Sequence, residues 1–226
     1  MTDHEAPDAG RLVIGILGGT GDQGRGLARR FALAGNQVMI GSRSAERAQA
    51  AAAEIGQQTG PNVRGLGNRE VAQESDVVIA AVPWEGHGDL LSGLAPDLAG
   101  KIVVDCVNPM GFDKRGAYPL PVAEGSAAEQ AAALLPDSTV VAAFHHVSAV
   151  LLLDPEVDSI DLDVLVLGDD RQATDLVQAL AARIPGVRGI YAGRLRNCGQ
   201  IEALTANLVS INRRYKAHAG LRITDI

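Results

Sequence analysis

The sequence is poor in cysteine and in aromatic residues: it has two cysteines, and Phe, Trp and Tyr make up 3% of its 226 residues. Cys106 and Cys198 lie far apart and match neither a C-x-x-C motif nor a metal-ligand spacing, so we expect two small buried side chains in a reducing compartment. No apolar run approaches the length of a membrane-spanning helix, and no basic segment followed by an apolar one opens the chain. These absences predict a cytoplasmic protein that has no membrane partner.

The chain also lacks an excess of basic residues. Its formal net charge of −7 argues against a nucleic-acid partner, because nucleic-acid binding requires Lys and Arg clustered on one face. With 46% hydrophobic residues, the chain is long enough for one substantial core and leaves room for a smaller second unit.

Strand-like apolar runs alternate with helix-like segments from residue 11 onward. The alternation predicts an α/β fold with a Rossmann-type doubly wound parallel sheet and a small appended C-terminal α/β portion. Residues 1–10 are polar and aperiodic, which predicts a flexible leader. We expect a dinucleotide-binding domain over 11–150 and a small C-terminal domain over 151–226. Within the first domain, the Gly- and Pro-rich segment 111–125 predicts a loop that leads to the capping box Ser126-Ala127-Ala128-Glu129, which opens a helix.

The segment from Ile14 to Gly24 runs from an apolar strand through a glycine-rich turn into a helix. Gly19, Gly21 and Gly24 have the G-x-G-x-x-G spacing of a dinucleotide site. The first glycine permits the tight turn, the second lets a pyrophosphate approach, and the third lets the helix pack closely on the strand. The helix N-terminus would offer free N–H groups to that pyrophosphate. The alternative is an ordinary strand-to-helix turn, which the position after the first strand disfavours.

The next strand, 37–41, lacks the carboxylate that an NAD site places at its end to bind the ribose 2′-hydroxyl. Ser42, Arg43 and Ser44 follow it instead, and a hydroxyl and a guanidinium suit a 2′-phosphate that a carboxylate would repel. Arg47 lies one helical turn after Arg43 and can share its face. Because the helix dipole disfavours cations at this end, a bound anion explains both arginines better than a solvated helix start. The pattern predicts NADP(H).

Ligands of an open parallel sheet lie outside the carboxyl ends of its strands, so Val82–His87, Val107–Met110 and Phe144–Ala149 are further candidate segments. The neighbouring His145 and His146 do not predict a metal site, because adjacent side chains of an extended strand point to opposite faces. We expect one histidine in the cleft and the other inside the fold. No Lys, His or Tyr within 82–149 belongs to a recognisable general-base motif, so no catalytic side chain is predicted.

Taken together with Val82-Pro83-Trp84-Glu85, Ser126-Ala127-Ala128-Glu129 and Phe144-His145-His146, these motifs resemble the NADPH-dependent coenzyme F-420 reductases, also called F-420:NADP oxidoreductases. The resemblance covers nearly the whole chain from Arg11. It implies an oxidoreductase with small-molecule cofactors only, in which a hydride passes between NADP(H) and the deazaflavin of coenzyme F-420. It also implies that the C-terminal domain completes the substrate cleft.

The resemblance further implies positions for both cofactors. The pyrophosphate would lie against the glycine turn, made of Gly19, Thr20, Gly21, Asp22, Gln23 and Gly24, and the 2′-phosphate against Ser42, Arg43 and Arg47. The rest of NADP would lie along Val82, Pro83, Trp84 and His87, with its nicotinamide near Ala149. Coenzyme F-420 would contact Asn108, His145, Val147 and Ser148, with Leu221 closing the site.

Two other functions fit the same residues: an NADPH-dependent reductase of an imine, a small acid or a flavin, and a non-catalytic NADPH sensor. A sensor needs an exposed stripe for its partner, which the last helix could supply through Leu195, Ile201, Leu204, Leu208, Val209 and Ile211. Core packing or a homodimer contact explains the same face equally well. We expect a homodimer or a higher homo-oligomer.

Overall fold

The computed structural model describes residues 8–226, which form ten strands and eight α-helices. The strands are β1 (Val13–Leu17), β2 (Gln37–Ser42), β3 (Val63–Gly67), β4 (Val77–Ala80), β5 (Ile102–Asp105), β6 (Met110–Asp113), β7 (Gly116–Pro119), β8 (Thr139–Ala142), β9 (Leu162–Gly168) and β10 (Val187–Gly193). The helices are α1 (Asp22–Leu33), α2 (Ala45–Thr59), α3 (Asn68–Glu74), α4 (His87–Leu98), α5 (Ala127–Leu134), α6 (Ala149–Leu153), α7 (Arg171–Ala181) and α8 (Cys198–Tyr215).

Eight of the strands form one sheet in the order β10-β9-β8-β5-β4-β1-β2-β3. Every neighbouring pair in it is parallel except β8 and β9, which run antiparallel. The chain moves outward from β1 to β3 and then returns to β4 on the other side of β1, so the strand order reverses between β1 and β4. Ligands of open α/β sheets bind at such a reversal. The predicted Rossmann-type doubly wound fold is confirmed.

The core consists of two apolar layers, one on each face of the sheet. Helices α1, α2 and α7 cover one face, where Phe31 and Ile55 are buried. Helices α3, α4 and α5 cover the other face, where Leu91 and Leu98 are buried. All four residues of β4 are buried, as expected of a strand covered on both faces. Among residues 8–226, no helix combines the length and the apolarity needed to span a membrane.

Two elements were not predicted from the sequence. The Gly- and Pro-rich segment after β5 contains the antiparallel hairpin of β6 and β7, whose four-residue strands carry too little alternation to stand out from a loop. Helix α6 is only five residues long, too short for a periodic pattern. It packs on α1 at Gly26, where a Cβ atom would lie 2.6 Å from Cβ of Leu152. The buried Arg30 donates from Nε to the Leu152 carbonyl at 2.9 Å and so caps its C-terminus.

The first and last parts of the chain both join this body. Ala9 is 4% exposed and its carbonyl accepts a hydrogen bond from the Asn36 amide at 2.8 Å, so the end of the predicted leader packs on the fold. Residues 1–7 of that leader lie outside the described residues. The predicted boundary at residue 150 falls inside α6, and β9 and β10 of the C-terminal portion extend the same sheet.

Candidate cofactor-binding site

The glycine turn between β1 and α1 lies at the reversal of strand order. Gly18 has a φ of 64°, a left-handed conformation that glycine adopts without strain, and Gly19 donates its N–H to the Gly41 carbonyl at 2.9 Å. A Cβ atom on Gly24 would lie 2.6 Å from Cα of Gly19. Only glycine therefore lets α1 pack this closely on the turn, which is the role predicted for the third glycine.

Gly21 faces open space, because no heavy atom lies within 4 Å of the position a Cβ atom would take. It is the residue before α1, and no side chain caps the helix there. In the described part of the chain, the N–H groups of Asp22, Gln23 and Gly24 have no hydrogen-bond acceptor. Free N–H groups and the positive end of the helix dipole thus point to a gap that an anion can enter.

The end of β2 carries the two predicted arginines. Arg43 and Arg47 are exposed, and neither guanidinium forms an ion pair within residues 8–226. Ser42 is 7% exposed and its hydroxyl accepts from the Ser44 N–H at 3.3 Å. Ser44 caps α2 and donates its hydroxyl to Glu46 at 2.7 Å, and this bond lowers the pKa of Glu46. Two unpaired cations therefore flank a helix start.

The segment after β4 packs against the glycine turn. Val82 lies so close to Gly18 that a Cβ atom on Gly18 would be 2.2 Å from its Cγ1 atom. Pro83 is exposed and Trp84 is half-buried, with its indole stacked on the His87 ring at a centroid distance of 5.5 Å and an interplanar angle of 30°.

His87 is placed differently from its prediction. Its side chain is 0% exposed. Both ring nitrogens face hydrogen-bond partners within the protein: Nε2 lies 2.6 Å from Oδ2 of Asp105, and Nδ1 lies 3.0 Å from Oε1 of Gln130. Burial lowers the pKa of His87, but the hydrogen bond and charge of Asp105 outweigh it and the pKa is raised. Trp84, not His87, forms the surface at this exit, so His87 lies beneath the predicted cofactor path.

A cavity of about 220 Å³ opens beside the glycine turn, between the ends of β5 and β8 and helix α8. It brings together five of the predicted residues: Gln23, Asn108, His145, Val147 and Ser148. The other lining residues are His146 and, from α8 and the segment after it, Thr205, Leu208, Val209, Asn212 and Ala219. Ala149 follows the lining segment as the first residue of α6. Leu221 is not part of the wall; its carbonyl accepts from the Asp163 N–H at 2.8 Å, at the start of β9.

Hydrogen bonds connect the walls of this cavity. The Gln23 side-chain amide donates to the Phe144 carbonyl at 3.2 Å, which ties the start of α1 to the end of β8. The Asn108 amide donates to the His145 carbonyl at 2.8 Å, and the Thr205 hydroxyl donates to Oδ1 of Asn108 at 3.2 Å. Thr205 was not predicted, since no local motif marks it on a helix that looks merely apolar.

The two histidines do not alternate as predicted. Phe144 has a φ of 64° and the Val147 N–H donates back to its carbonyl, so the chain turns here instead of staying extended, and both histidines line the cavity. His145 is 4% exposed and neither of its ring nitrogens has a hydrogen-bond partner within residues 8–226; His146 is 5% exposed. Burial lowers the pKa of each to about 4, so both rings are neutral near pH 7.

The strand order, the glycine turn at its reversal and the free helix end define a Rossmann-type dinucleotide-binding protein. A family model described as NADP oxidoreductase, coenzyme F-420-dependent, matches residues 13–109. The chain is 41% identical to the F-420-dependent NADP reductases of Methanothermobacter marburgensis and of Methanocaldococcus jannaschii, with 95% of this chain and 99% of each relative covered. The chain belongs to the F-420-dependent NADP reductase family.

A solved structure agrees with this assignment. The crystal structure of a protein from an Arthrobacter species, described provisionally as an F-420-dependent NADP reductase, is 27% identical in sequence and superposes with a TM-score of 0.78. The match covers 94% of this chain and 99% of that one. The similarity therefore extends beyond residue 109 into the C-terminal portion of the chain.

Proposed function

We propose that this protein is an F-420-dependent NADP reductase, in which a hydride passes between NADP(H) and coenzyme F-420. The observation that carries the proposal is the 41% identity with relatives of that activity over almost the whole of both chains. An alignment of this extent includes the glycine turn and also Thr205 and its neighbours on α8, so it covers both proposed binding regions.

The residues around the glycine turn fit NADP(H). The pyrophosphate lies at Gly21, where the structure leaves space and the N–H groups of α1 lack acceptors. Arg43 and Arg47 bind the 2′-phosphate by charge-assisted hydrogen bonds, which their lack of ion-pair partners within residues 8–226 supports. Ser42 supports the 2′-phosphate site from the buried end of β2.

The cavity between Asn108 and Thr205 fits the ring system of coenzyme F-420. Flat heterocycles require an apolar slot with a few polar groups that fix their edge. Val147, Leu208 and Val209 supply apolar wall, and the unpartnered ring nitrogens of His145 supply one donor and one acceptor. Ala149, which follows this wall, lies near the nicotinamide.

The reaction needs few catalytic side chains. When bound, the two coenzymes supply the hydride-donating and hydride-accepting carbons, and the protein contributes proximity, orientation and exclusion of water. The low pKa values of His145 and His146 keep both rings uncharged near neutral pH. The cavity wall therefore offers polar atoms to a ligand, and no charged histidine has to lose its hydration when the ligand binds.

An absorbance assay tests the proposal. We expect the purified protein to oxidise NADPH with F-420, and to show no comparable turnover of free FMN, free FAD or a cyclic imine. NADH in place of NADPH should give a much lower kcat/KM. If the protein reduced a flavin or an imine but not F-420, it would be the alternative reductase. If it bound NADPH but reduced none of these acceptors, the result would favour the sensor.

We infer further that the protein is a cytoplasmic homodimer. The two cysteines are both unpaired and buried, which suits a reducing compartment. Part of the predicted apolar face packs inside the chain, since Leu208 of α8 and Leu195 just ahead of it are buried. Its C-terminal end stays open: Ile211 and Tyr215 are 40% and 73% exposed, and Phe112 and Tyr118 of the adjoining hairpin are 68% and 43% exposed. We assign this patch to contact with a second copy.

A further inference from the structure

A chain of buried hydrogen bonds lies beneath Trp84. His87 sits between Asp105 and Gln130, with Nε2 at 2.6 Å from the Asp105 carboxylate and Nδ1 at 3.0 Å from Oε1 of Gln130. Asp105 is 0% exposed, and its other oxygen accepts the Val107 N–H at 3.0 Å. The cofactor contacts proposed above leave these groups without a role.

The hydrogen-bond partners define the protonation of His87. The Gln130 amide nitrogen donates to the Glu124 carboxylate at 3.3 Å, and a carboxylate only accepts. The Gln130 amide is therefore oriented with its oxygen toward His87, so Nδ1 must donate. Nε2 must also donate, because Asp105 accepts. With Asp105 ionised, these partners match an imidazolium, which donates from both ring nitrogens.

This cation lies against the face of an aromatic ring. The His87 and Trp84 rings are stacked with centroids 5.5 Å apart, within the range of a cation–π interaction. Trp84 follows Val82, which packs on Gly18 of the glycine turn. The orientation of the indole at the edge of the nucleotide site therefore depends on a ring that is itself held from two sides.

We propose that His87, held as an imidazolium by Asp105 and Gln130, is a positioning residue that fixes the Trp84 indole for NADP(H) binding. The identity of the ligand rests on the proposed function. Because His87 is fully buried, it acts through Trp84 and does not touch the cofactor. Loss of its proton or of its partners releases the indole and weakens nucleotide binding.

Several titratable groups lie around the stacked rings of His87 and Trp84. Asp105 faces His87 from the end of β5, Glu202 faces it from α8, and Glu124 lies beyond Gln130. The thiols of Cys106, in the core layer on the opposite face of the sheet, and of Cys198, at the start of α8, are buried as well. Burial raises the pKa of both thiols, so they remain protonated. Burial also raises the pKa of Glu202, to about 7, so its titration has to be separated from that of His87.

Trp84 is the sole tryptophan of the chain, so its fluorescence reports on this stack directly. A protonated imidazole quenches a neighbouring indole, and we expect the emission of the protein without ligands to rise in a single step as the pH increases through the raised pKa of His87. The step should persist in Glu202→Gln. Asp105→Asn removes the charge that favours the imidazolium and should lower the midpoint by about one pH unit or more. His87→Gln should abolish the step.

Nucleotide binding gives the second measurement. We expect the Kd for NADPH, measured by energy transfer from Trp84, to rise about tenfold in His87→Gln, while kcat at saturating NADPH stays within about twofold. Gln130→Met is the milder variant if His87→Gln does not fold, because Gln130 is only half-buried; its Kd should rise in the same direction. Glu85→Gln is the matched control: this exposed carboxylate beside Trp84 should alter neither the fluorescence step nor the Kd.

An unchanged fluorescence midpoint in Asp105→Asn would overturn the proposal. So would an NADPH Kd within about twofold of wild type in both His87→Gln and Gln130→Met. The fluorescence midpoint and the Kd for NADPH are both measured without F-420. A wild-type protein without F-420 turnover would therefore overturn the proposed function alone, whereas a failed titration would overturn the role of His87 alone.

Discussion

The side-chain amide of Asn108 donates to the carbonyl of His145 at 2.8 Å and so joins the ends of β5 and β8 at the cavity wall. The two residues are 37 positions apart, and the bond fixes a segment that has left the sheet and turned at Phe144. It makes the shape of the proposed F-420 site depend on an amide that lies outside the nucleotide site.

Replacing Asn108 by Asp should therefore impair the second substrate selectively. A carboxylate cannot donate to the His145 carbonyl, and losing a donor to a buried acceptor costs about 1–3 kcal/mol. We expect kcat/KM for F-420 to fall by about fivefold or more, and the Kd for NADPH to stay the same. Asn207→Asp, on an exposed position of α8, is the control. Equal losses for both substrates would show that Asn108 supports the fold in general.

Arg43 should determine the choice between NADPH and NADH. Its exposed guanidinium has no ion-pair partner within residues 8–226, and a charge-assisted hydrogen bond to a 2′-phosphate contributes about 1.5–3 kcal/mol. In Arg43→Ala we expect KM for NADPH to rise about tenfold or more and KM for NADH to change little. Arg196→Ala, an exposed arginine ahead of α8, should change neither. A parallel rise for both nucleotides would mean that Arg43 does not contact the phosphate.

The parts of the site that depend on neighbours in sequence were predictable, and those that depend on distant contacts were not. The spacing of Gly19, Gly21 and Gly24 follows from steric demands within one turn, so the sequence alone locates the turn. Thr205 reaches Asn108 across 97 positions, and no local pattern carries that contact. The prediction for His145 and His146 assumed an extended strand, which the positive φ of Phe144 ends.

The buried carboxylate of Glu202 should make stability depend on pH. Burial raises its pKa to about 7, although the N–H groups of Ala127 and Ala128 donate to it. The folded state then binds more protons than the unfolded state, whose Glu titrates near 4.3. The stability present below that value declines as pH rises to about 7.

Urea unfolding of wild type and Glu202→Gln at pH 4.5 and pH 7.5 measures this effect. The difference between their unfolding free energies reports the titration of Glu202 together with the part of the raised His87 pKa that its charge supplies. We expect the variant to gain about 1–3 kcal/mol relative to wild type between the two pH values. A difference that does not vary with pH would show that Glu202 titrates normally in the folded protein.

The dimer proposal is tested through Tyr215, the most exposed large apolar residue of the patch at 73%. A buried charge without a partner is strongly unfavourable at an apolar contact, so Tyr215→Asp should convert the dimer into a monomer. The monomer should stay folded, because Tyr215 is exposed within a single chain. Light scattering at micromolar concentration measures the mass. Tyr191→Asp is the control, because Tyr191 lies on β10 outside the patch and is 51% exposed. A wild-type monomer would refute the dimer.

Ser148 offers the most direct test of where F-420 binds. It is a half-buried wall residue of the cavity, and its hydroxyl has only a 3.5 Å contact with the exposed His218, so a larger side chain fits the fold while filling the slot. We expect Ser148→Phe to lower kcat/KM for F-420 by about tenfold or more, or about 1.4 kcal/mol in transition-state stabilisation. The Kd for NADPH should change little, because the glycine turn and Arg43 are untouched.

Ser92→Phe, at an exposed position of α4, controls for the added ring. If Ser148→Phe retained full activity with F-420, the deazaflavin would have to stack outside this cavity, and the roles proposed for Val147 and His145 would fall with it.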